Sequence, residues 1–223
     1  MDQEHQAREL LQARLVAELF RREAKNGLAL KGGMAMRAAH GSVRYTKDID
    51  LAADPGRLTP EGVKAAVRRA FREAEKTGIV SDARLGAPKF TDTTQRWKLN
   101  GMIGGTPVNL TVEVSRRDAV SEADLTETDW REAPGGEDVR VAAYDMRSLA
   151  ASKVSCLCSD RREAVRDLFD LDLLIRMDAQ PAELLAELGR GQLERYLGNL
   201  WDKVEKLDWA AARESLMFAL PPK

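Results

Sequence analysis

Apolar residues recur at helical spacing near the start of the chain. Leu11, Leu15 and Leu19, joined by Val16 and Phe20, predict an amphipathic helix over residues 4–25. Asn26-Gly27 closes it, because glycine suits the left-handed residue beyond a helix end. Leu28-Ala29-Leu30 reads as a short buried strand running into Gly32-Gly33, and a helix follows through Met34, Met36 and Ala39 to Gly41. Asp48-Ile49-Asp50-Leu51 alternates polar with apolar, the period of a half-buried strand. Thr59-Pro60-Glu61 supplies a cap and a proline at the first helical position, so the next helix runs to about Lys76 and stops at Gly78.

The middle third changes period. Residues 79–85, 93–103 and 107–115 carry β-formers between Gly/Pro breaks and predict strands of one mostly antiparallel or mixed sheet, with a hairpin turned at Gly104-Gly105-Thr106. Residues 119–138 hold acids, Pro134 and Gly135-Gly136 and read as an exposed connection, followed by a short strand at 139–143. After Asp145 the pattern is helical, with breaks near Pro181, Gly189–Gly191 and Leu207-Asp208. The expected fold is therefore α+β: residues 1–143 form a mixed sheet flanked by helices, and residues 144–223 form a helical domain completing a cleft. Val165, Leu168 and Ile175 form the expected core stripe of one late helix. Core completion is the expected role of Trp201 and Trp209 in the terminal helices.

Composition narrows the function classes. The 223 residues hold 35 Lys+Arg against 36 Asp+Glu, a net charge of −1, which excludes a grossly basic nucleic-acid binder. No run approaches the ~18 apolar residues of a membrane span, and the charged N-terminus has no apolar signal core. Two cysteines, Cys156 and Cys158, make no disulfide framework, so a cytoplasmic setting is expected. Only His5 and His40 are histidines, which disfavours a His-rich zinc site or a histidine triad. Chemistry is left to carboxylates, lysine and backbone.

Four groups have the right types at the right spacing. Gly32 and Gly33, between a strand and a helix, let backbone N–H groups approach a phosphate, although a glycine pair also simply makes a tight turn. Asp48 and Asp50 lie two apart on a strand, so both carboxylates share one face, the oxygen-rich setting that hard Mg²⁺ takes. Val108, Leu110, Val112 and Val114 alternate with Asn109, Thr111, Glu113 and Ser115, so Glu113 joins the two aspartates if the strands are neighbours. Three such carboxylates suit two-metal transfer, one ion activating a hydroxyl and the other holding a triphosphate. Lys153 and the run Arg166-Asp167-Leu168-Phe169-Asp170 lie on late helices, where an Arg166–Asp170 surface pair is the bland alternative.

These residues together resemble a family. LALKGGMAMRAAHGSVRYTKDIDL, PVNLTVEVSRRD and SLAASKVSCLCSDRREAVRDLFDLDLL are similar to the AbiEii/AbiGii-type nucleotidyltransferase toxins of the DNA-polymerase-β-like nucleotidyltransferase superfamily, over residues 28–175. The block containing Arg44, Thr46, Asp48 and Asp50 is its most specific part. The resemblance implies that Gly32 and Gly33 cradle phosphate, with Arg44 and Thr46 counted among the nucleotide-binding residues. It implies that Asp48 and Asp50 bind Mg²⁺ or Mn²⁺, with Glu113 as a third ligand. It also makes Lys153 a phosphate contact, and Asp167 or Asp170 an essential late acid. Two departures stand out: Gly33 occupies a position where many members carry Ser, and Thr111 one where some relatives carry Lys.

The expected function is NTP-dependent nucleotidyl transfer to an RNA acceptor, the tRNA 3′ end being a documented kind of target in the family, with a block of translation as the consequence. The expected partners are an NTP, the RNA and a cognate antitoxin, with no membrane or DNA. Lys64, Arg68, Arg69 and Arg72 on one helix, and Arg116-Arg117 after the Glu113 strand, are the basic groups available to RNA, against a solvated helix face for the first four. The alternatives are modification of a small molecule or a protein, or a catalytically degenerate binding protein.

Overall fold

The computed structural model describes residues 3–23, 27–130, 135, 140–158, 165–186 and 189–221. The chain divides into two compact units. The first comprises Met1–Gly41 with Tyr45–Tyr144, and the second Ser42–Arg44 with Asp145–Lys223.

In the first unit, α1 (Gln3–Glu23) leads into β1 (Leu28–Leu30), α2 (Gly32–Ala39), β2 (Asp48–Ala53) and α3 (Pro60–Lys76). The strands β3 (Ser81–Leu85), β4 (Lys89–Phe90), β5 (Thr94–Ile103), β6 (Thr106–Ser115), β7 (Leu125–Asp129) and β8 (Arg140–Tyr144) follow. Among the described residues they make one sheet in the order β3-β5-β6-β2-β1-β8-β7, with β4 also on β5. β2 pairs β6 and β1 pairs β8 in parallel, while the other pairings are antiparallel, so the sheet is mixed as expected.

Alternation decides which face of this sheet is core. Ile49 and Leu51 of β2, Trp97 and Leu99 of β5, and Val108, Leu110, Val112 and Val114 of β6 are all buried. Burying each such side chain contributes about 1.5–3 kcal/mol of hydrophobic stabilisation. Leu11, Leu15, Val16, Leu19 and Phe20 of α1 are buried as their spacing predicts, and α1 packs on β6, β8 and α3. The β5–β6 hairpin turns on Gly104 and Gly105, both at positive φ (+54° and +81°), the geometry that a two-residue hairpin matching strand twist demands. Thr59 caps α3, its hydroxyl accepting from the Gly62 N–H at 3.1 Å, with Pro60 at the first turn.

The described stretch of the expected exposed connection, residues 119–130, is not simply exposed. A 3₁₀ turn at Glu122–Asp124 precedes β7, which pairs antiparallel with β8, and Val120 and Trp130 are buried. β7 reads LTETD and is the edge strand among the described residues, where no apolar alternation is needed. The expected helix end at Asn26, the start of β8 at Val139, and Pro134 and Gly136 lie outside the described residues.

The second unit holds α4 (Met146–Leu157), α5 (Val165–Arg176), α6 (Ala182–Ala186), α7 (Arg190–Glu205) and α8 (Trp209–Met217). Asp145 caps α4 and Asp208 caps α8. Two expectations fail here. Ile175 is exposed, and the buried positions of α5 are Asp167, Asp170 and Leu174, so two carboxylates and one leucine occupy the stripe at i, i+3 and i+7. Trp201 and Trp209 do not complete the core; they are 67% and 68% exposed, and Leu197, Met217 and Phe218 are exposed as well.

Thr59→Ala is expected to cost about 1 kcal/mol through loss of the α3 cap. The urea midpoint of unfolding should fall while its slope stays constant.

Candidate active site

In the first unit the acid pair sits at the junction of β2 with the glycine turn. Asp48 and Asp50 are half-buried on the face opposite the buried Ile49 and Leu51. The Lys31 N–H donates to the Asp50 carbonyl at 2.9 Å, which ties the start of α2 to the centre of β2. Gly32 then has φ +58°, and a Cβ there would lie 2.6 Å from Asp50 Oδ2. Only glycine accepts both that conformation and that proximity. The α2 N-terminus, the positive end of the helix dipole, thus begins against the Asp50 carboxylate. Gly33 follows it, buried.

Thr46 shapes the entry to β2. Its hydroxyl accepts from the Asp48 N–H at 3.3 Å and donates to the Asp48 carbonyl at 3.2 Å, and its own carbonyl accepts from Gln12 Nε2 at 3.0 Å. The role visible for Thr46 is therefore to hold the backbone of Asp48.

β2 and β6 are neighbours in the register that the acid triad requires. Asp50 stands opposite Glu113 and Asp48 opposite Thr111. Glu113 is, however, turned to β5, where Arg96 lies directly across from it and donates from Nε at 2.8 Å and again from Nη2. The hydrogen bond with Glu113, then the charge of Glu113 and those of Asp48 and Asp50, raise the Arg96 pKa. Among the described residues, no three His, Cys, Asp or Glu side chains converge as an ion-binding group as they stand. Sequence reasoning missed Arg96. Counting back along both strands from Gly104-Gly105 would have placed it opposite Glu113.

The second unit gathers the other candidates into a buried quartet. Arg44 grips Asp170 with two parallel hydrogen bonds, Nε to Oδ1 at 2.8 Å and Nη2 to Oδ2 at 2.7 Å. Lys153 Nζ lies 2.7 Å from Asp170 Oδ2 and 2.8 Å from Asp167 Oδ1. All four side chains are buried, Asp170 completely. Two positive and two negative charges close on one another, so the desolvation cost of each ion is offset locally. Burial pushes the Asp170 carboxyl up, but the hydrogen bonds from Arg44 and the charges of Lys153 and Arg44 outweigh it and hold the group below its ordinary range. Burial also pulls the Lys153 ammonium down, and the charges of Asp170 and Asp167 more than reverse that. Asp170 is therefore partnered by Arg44 and Lys153, in place of the surface pair with Arg166. Arg161 and Arg162 lie outside the described residues.

An acid pair thus lies beside a glycine-opened helix start on the polar face of a mixed sheet, and the fold is that of nucleotidyltransferases. Solved structures share it. One is JHP933 from Helicobacter pylori, 21% identical, with a TM-score of 0.55 over 79% of this chain and 68% of that one. Another, described as a "putative nucleotidyltransferase" from H. pylori, is 18% identical, with a TM-score of 0.58 over 97% and 91%. No curated protein is significantly similar in sequence. The model of the AbiEii nucleotidyl transferase toxins of type IV toxin–antitoxin systems matches residues 14–223, and the chain belongs to that family.

Gly32→Ala is expected to displace the Asp50 carboxylate and to cost at least ~1 kcal/mol, since φ is positive there. A lower thermal midpoint, together with loss of any Asp50-dependent cation binding, checks it.

Asp170→Asn removes the carboxylate that neutralises two buried cations and is expected to cost about 3–5 kcal/mol. Asp167→Asn leaves Lys153 with Asp170 and should cost less. The sign with pH follows from the two shifts. Asp170 is depressed in the fold, so its contribution is present above its ordinary 3.8 and lost as pH falls through the lower folded value. Lys153 is raised, so its contribution is full below 10.5 and lost as pH climbs through the higher folded value. The thermal midpoint of the wild type should drop at both extremes, and that of Asp170→Asn should respond less on the acid side.

Proposed function

We propose that this protein transfers a nucleotide from an NTP to an RNA acceptor, a tRNA 3′ end, and so blocks translation as the toxin of a toxin–antitoxin pair. One observation carries the reading: Asp48 and Asp50 present their carboxylates together on the polar face of β2, with the Gly32-Gly33 helix start packed against Asp50.

The donor set fits a hard divalent cation, because it offers carboxylate oxygens without competing sulfur or imidazole. Asp48 and Asp50 would hold Mg²⁺ or Mn²⁺, and Glu113 would join them on release from Arg96. When bound, the cation supplies charge neutralisation for the triphosphate and lowers the pKa of an acceptor hydroxyl. The N–H groups at the start of α2 favour anionic phosphate oxygens. The Asp48–Asp50 pair orients the acceptor hydroxyl, whose oxygen bonds to the α-phosphorus as the α–β anhydride bond breaks and pyrophosphate leaves. The hydroxyl proton passes to a carboxylate or to water. For the second unit, the proposal is that Lys153 contacts nucleotide phosphate, exchanging one of its two carboxylates to do so, with Asp167 or Asp170 as the late acid. A cognate antitoxin would restrain this activity.

Incubating the protein with total RNA and each of four labelled NTPs in Mg²⁺ tests the reading. Label is expected on RNA of tRNA size from wild-type protein. Asp48→Ala or Asp50→Ala should lower transfer by at least ~10²-fold and relieve growth arrest on expression. Label confined to protein or a small molecule would redirect the acceptor assignment. Absence of transfer, with carboxylate variants that change no phenotype, would replace the enzyme with a binding protein.

A further inference from the structure

We infer that the outward face of β3, β4 and β5 is the track for the phosphate backbone of the RNA acceptor, an inference that rests on the RNA-directed transfer proposed above. Arg84, Lys89, Arg96 and Lys98 are all exposed on these strands. The register brings them to one face. Lys89 stands opposite Arg96, Arg84 opposite Asn100, and Lys98 two residues along from Arg96. That face continues across β6 to the acid pair, through Thr111 to Asp48 and through Glu113 to Asp50.

Two features point to a polyanion. Like charges directly opposite each other destabilise a sheet, yet Lys89 and Arg96 are so placed, with Glu113 as the acid paired to Arg96. Lys98 faces the uncharged Thr111, and Arg84 faces an amide. The exposed acids on the flanks lie at the margins: Asp82 at the irregularity in β3, and Asp92 in the turn between β4 and β5. The second feature is spread. With strands about 4.8 Å apart, β5 lies roughly 10 Å from β2. Arg84 and Lys89 lie one strand further out and are separated by four residues of β5, roughly 13 Å. A triphosphate seated at Asp50 cannot span these positions, whereas a phosphodiester chain presents a charge at every residue.

The basic groups that the sequence offers to RNA are divided: Arg68, Arg72 and Arg117 are exposed but lie outside these three strands. Lys64 and Arg69 of α3 are half-buried, and Arg116 is committed to the Leu58 and Pro55 carbonyls.

The test is binding of fluorescently labelled tRNA by anisotropy, without NTP, across a salt series. The triple variant Arg84→Gln, Lys89→Gln, Lys98→Gln is expected to bind at least about tenfold more weakly near 0.1 M salt. Its slope of log K against log salt should be shallower by about 2, at ~0.7–0.9 per lost phosphate contact. The single variant Lys98→Gln, at an exposed position, should lose about one such increment, and Mg²⁺–NTP binding should hold in both. Unchanged tRNA affinity and slope in the triple variant overturn the inference, as does a wild type that binds no tRNA. A fall in NTP affinity with tRNA binding intact also overturns it, assigning the face to a free triphosphate. Wild-type tRNA binding that depends on these cations, without nucleotide transfer from any NTP, sinks the transferase reading and leaves the track standing.

Discussion

The register of β2 is the constraint on which the candidate site depends. Six residues, Asp48–Ala53, lie between β1 and β6, and their two-residue period sends Ile49 and Leu51 inward and Asp48 and Asp50 outward. A slip by one residue would bury both carboxylates and expose both apolar side chains. That alternative costs hydrophobic burial and charge desolvation together, so a single hydrophobic pattern enforces the placement of two acids. The same logic orders β6, whose four buried valine and leucine side chains leave Thr111 and Glu113 on the acid face.

What surrounds the pair follows from that register. Asp50 repels an additional side chain at Gly32 and receives the α2 N-terminus in its place, so the glycine answers to a carboxylate as well as to a turn. Glu113 has two possible allegiances, the acids on β2 and the guanidinium on β5. Adjacent carboxylates repel, and an opposed arginine attracts. Glu113 is accordingly found with Arg96. A cation held by Asp48 and Asp50 would alter that balance by turning repulsion on one side into attraction.

The second unit solves a different electrostatic problem. Its quartet is charged yet buried, and it persists because Arg44 satisfies both oxygens of Asp170 while Lys153 bridges Asp170 to Asp167. Buried charge of this kind is weak evidence of added stability but strong evidence of mutual dependence, since removing one member leaves another unpaired. The tripeptide Ser42–Arg44 belongs to this unit although it lies between elements of the first. Arg44 thereby ties a short early segment to a helix 126 residues later in the chain.

Legibility in the sequence followed the strength of the local signal. Helices α1 and α3 and strands β2, β5 and β6 announce themselves because burial on one face imposes a period on the residues. β7 does not, since an edge strand reading LTETD buries little. In α5 hydrophobic spacing is a poor guide because carboxylates hold two of the three buried positions, and nothing local to α5 reveals that Arg44 and Lys153 neutralise them. Trp201 and Trp209 misled for the converse reason: large aromatic side chains favour burial on average, yet these two remain at the surface. The net charge of −1 shows the same limit. Four charges of the quartet cancel inside one unit, buried against one another. On the first unit's sheet, the opposed signs lie side by side on one accessible face. A total near zero is compatible with both arrangements, and only the pairing of strands and the burial of side chains separate them.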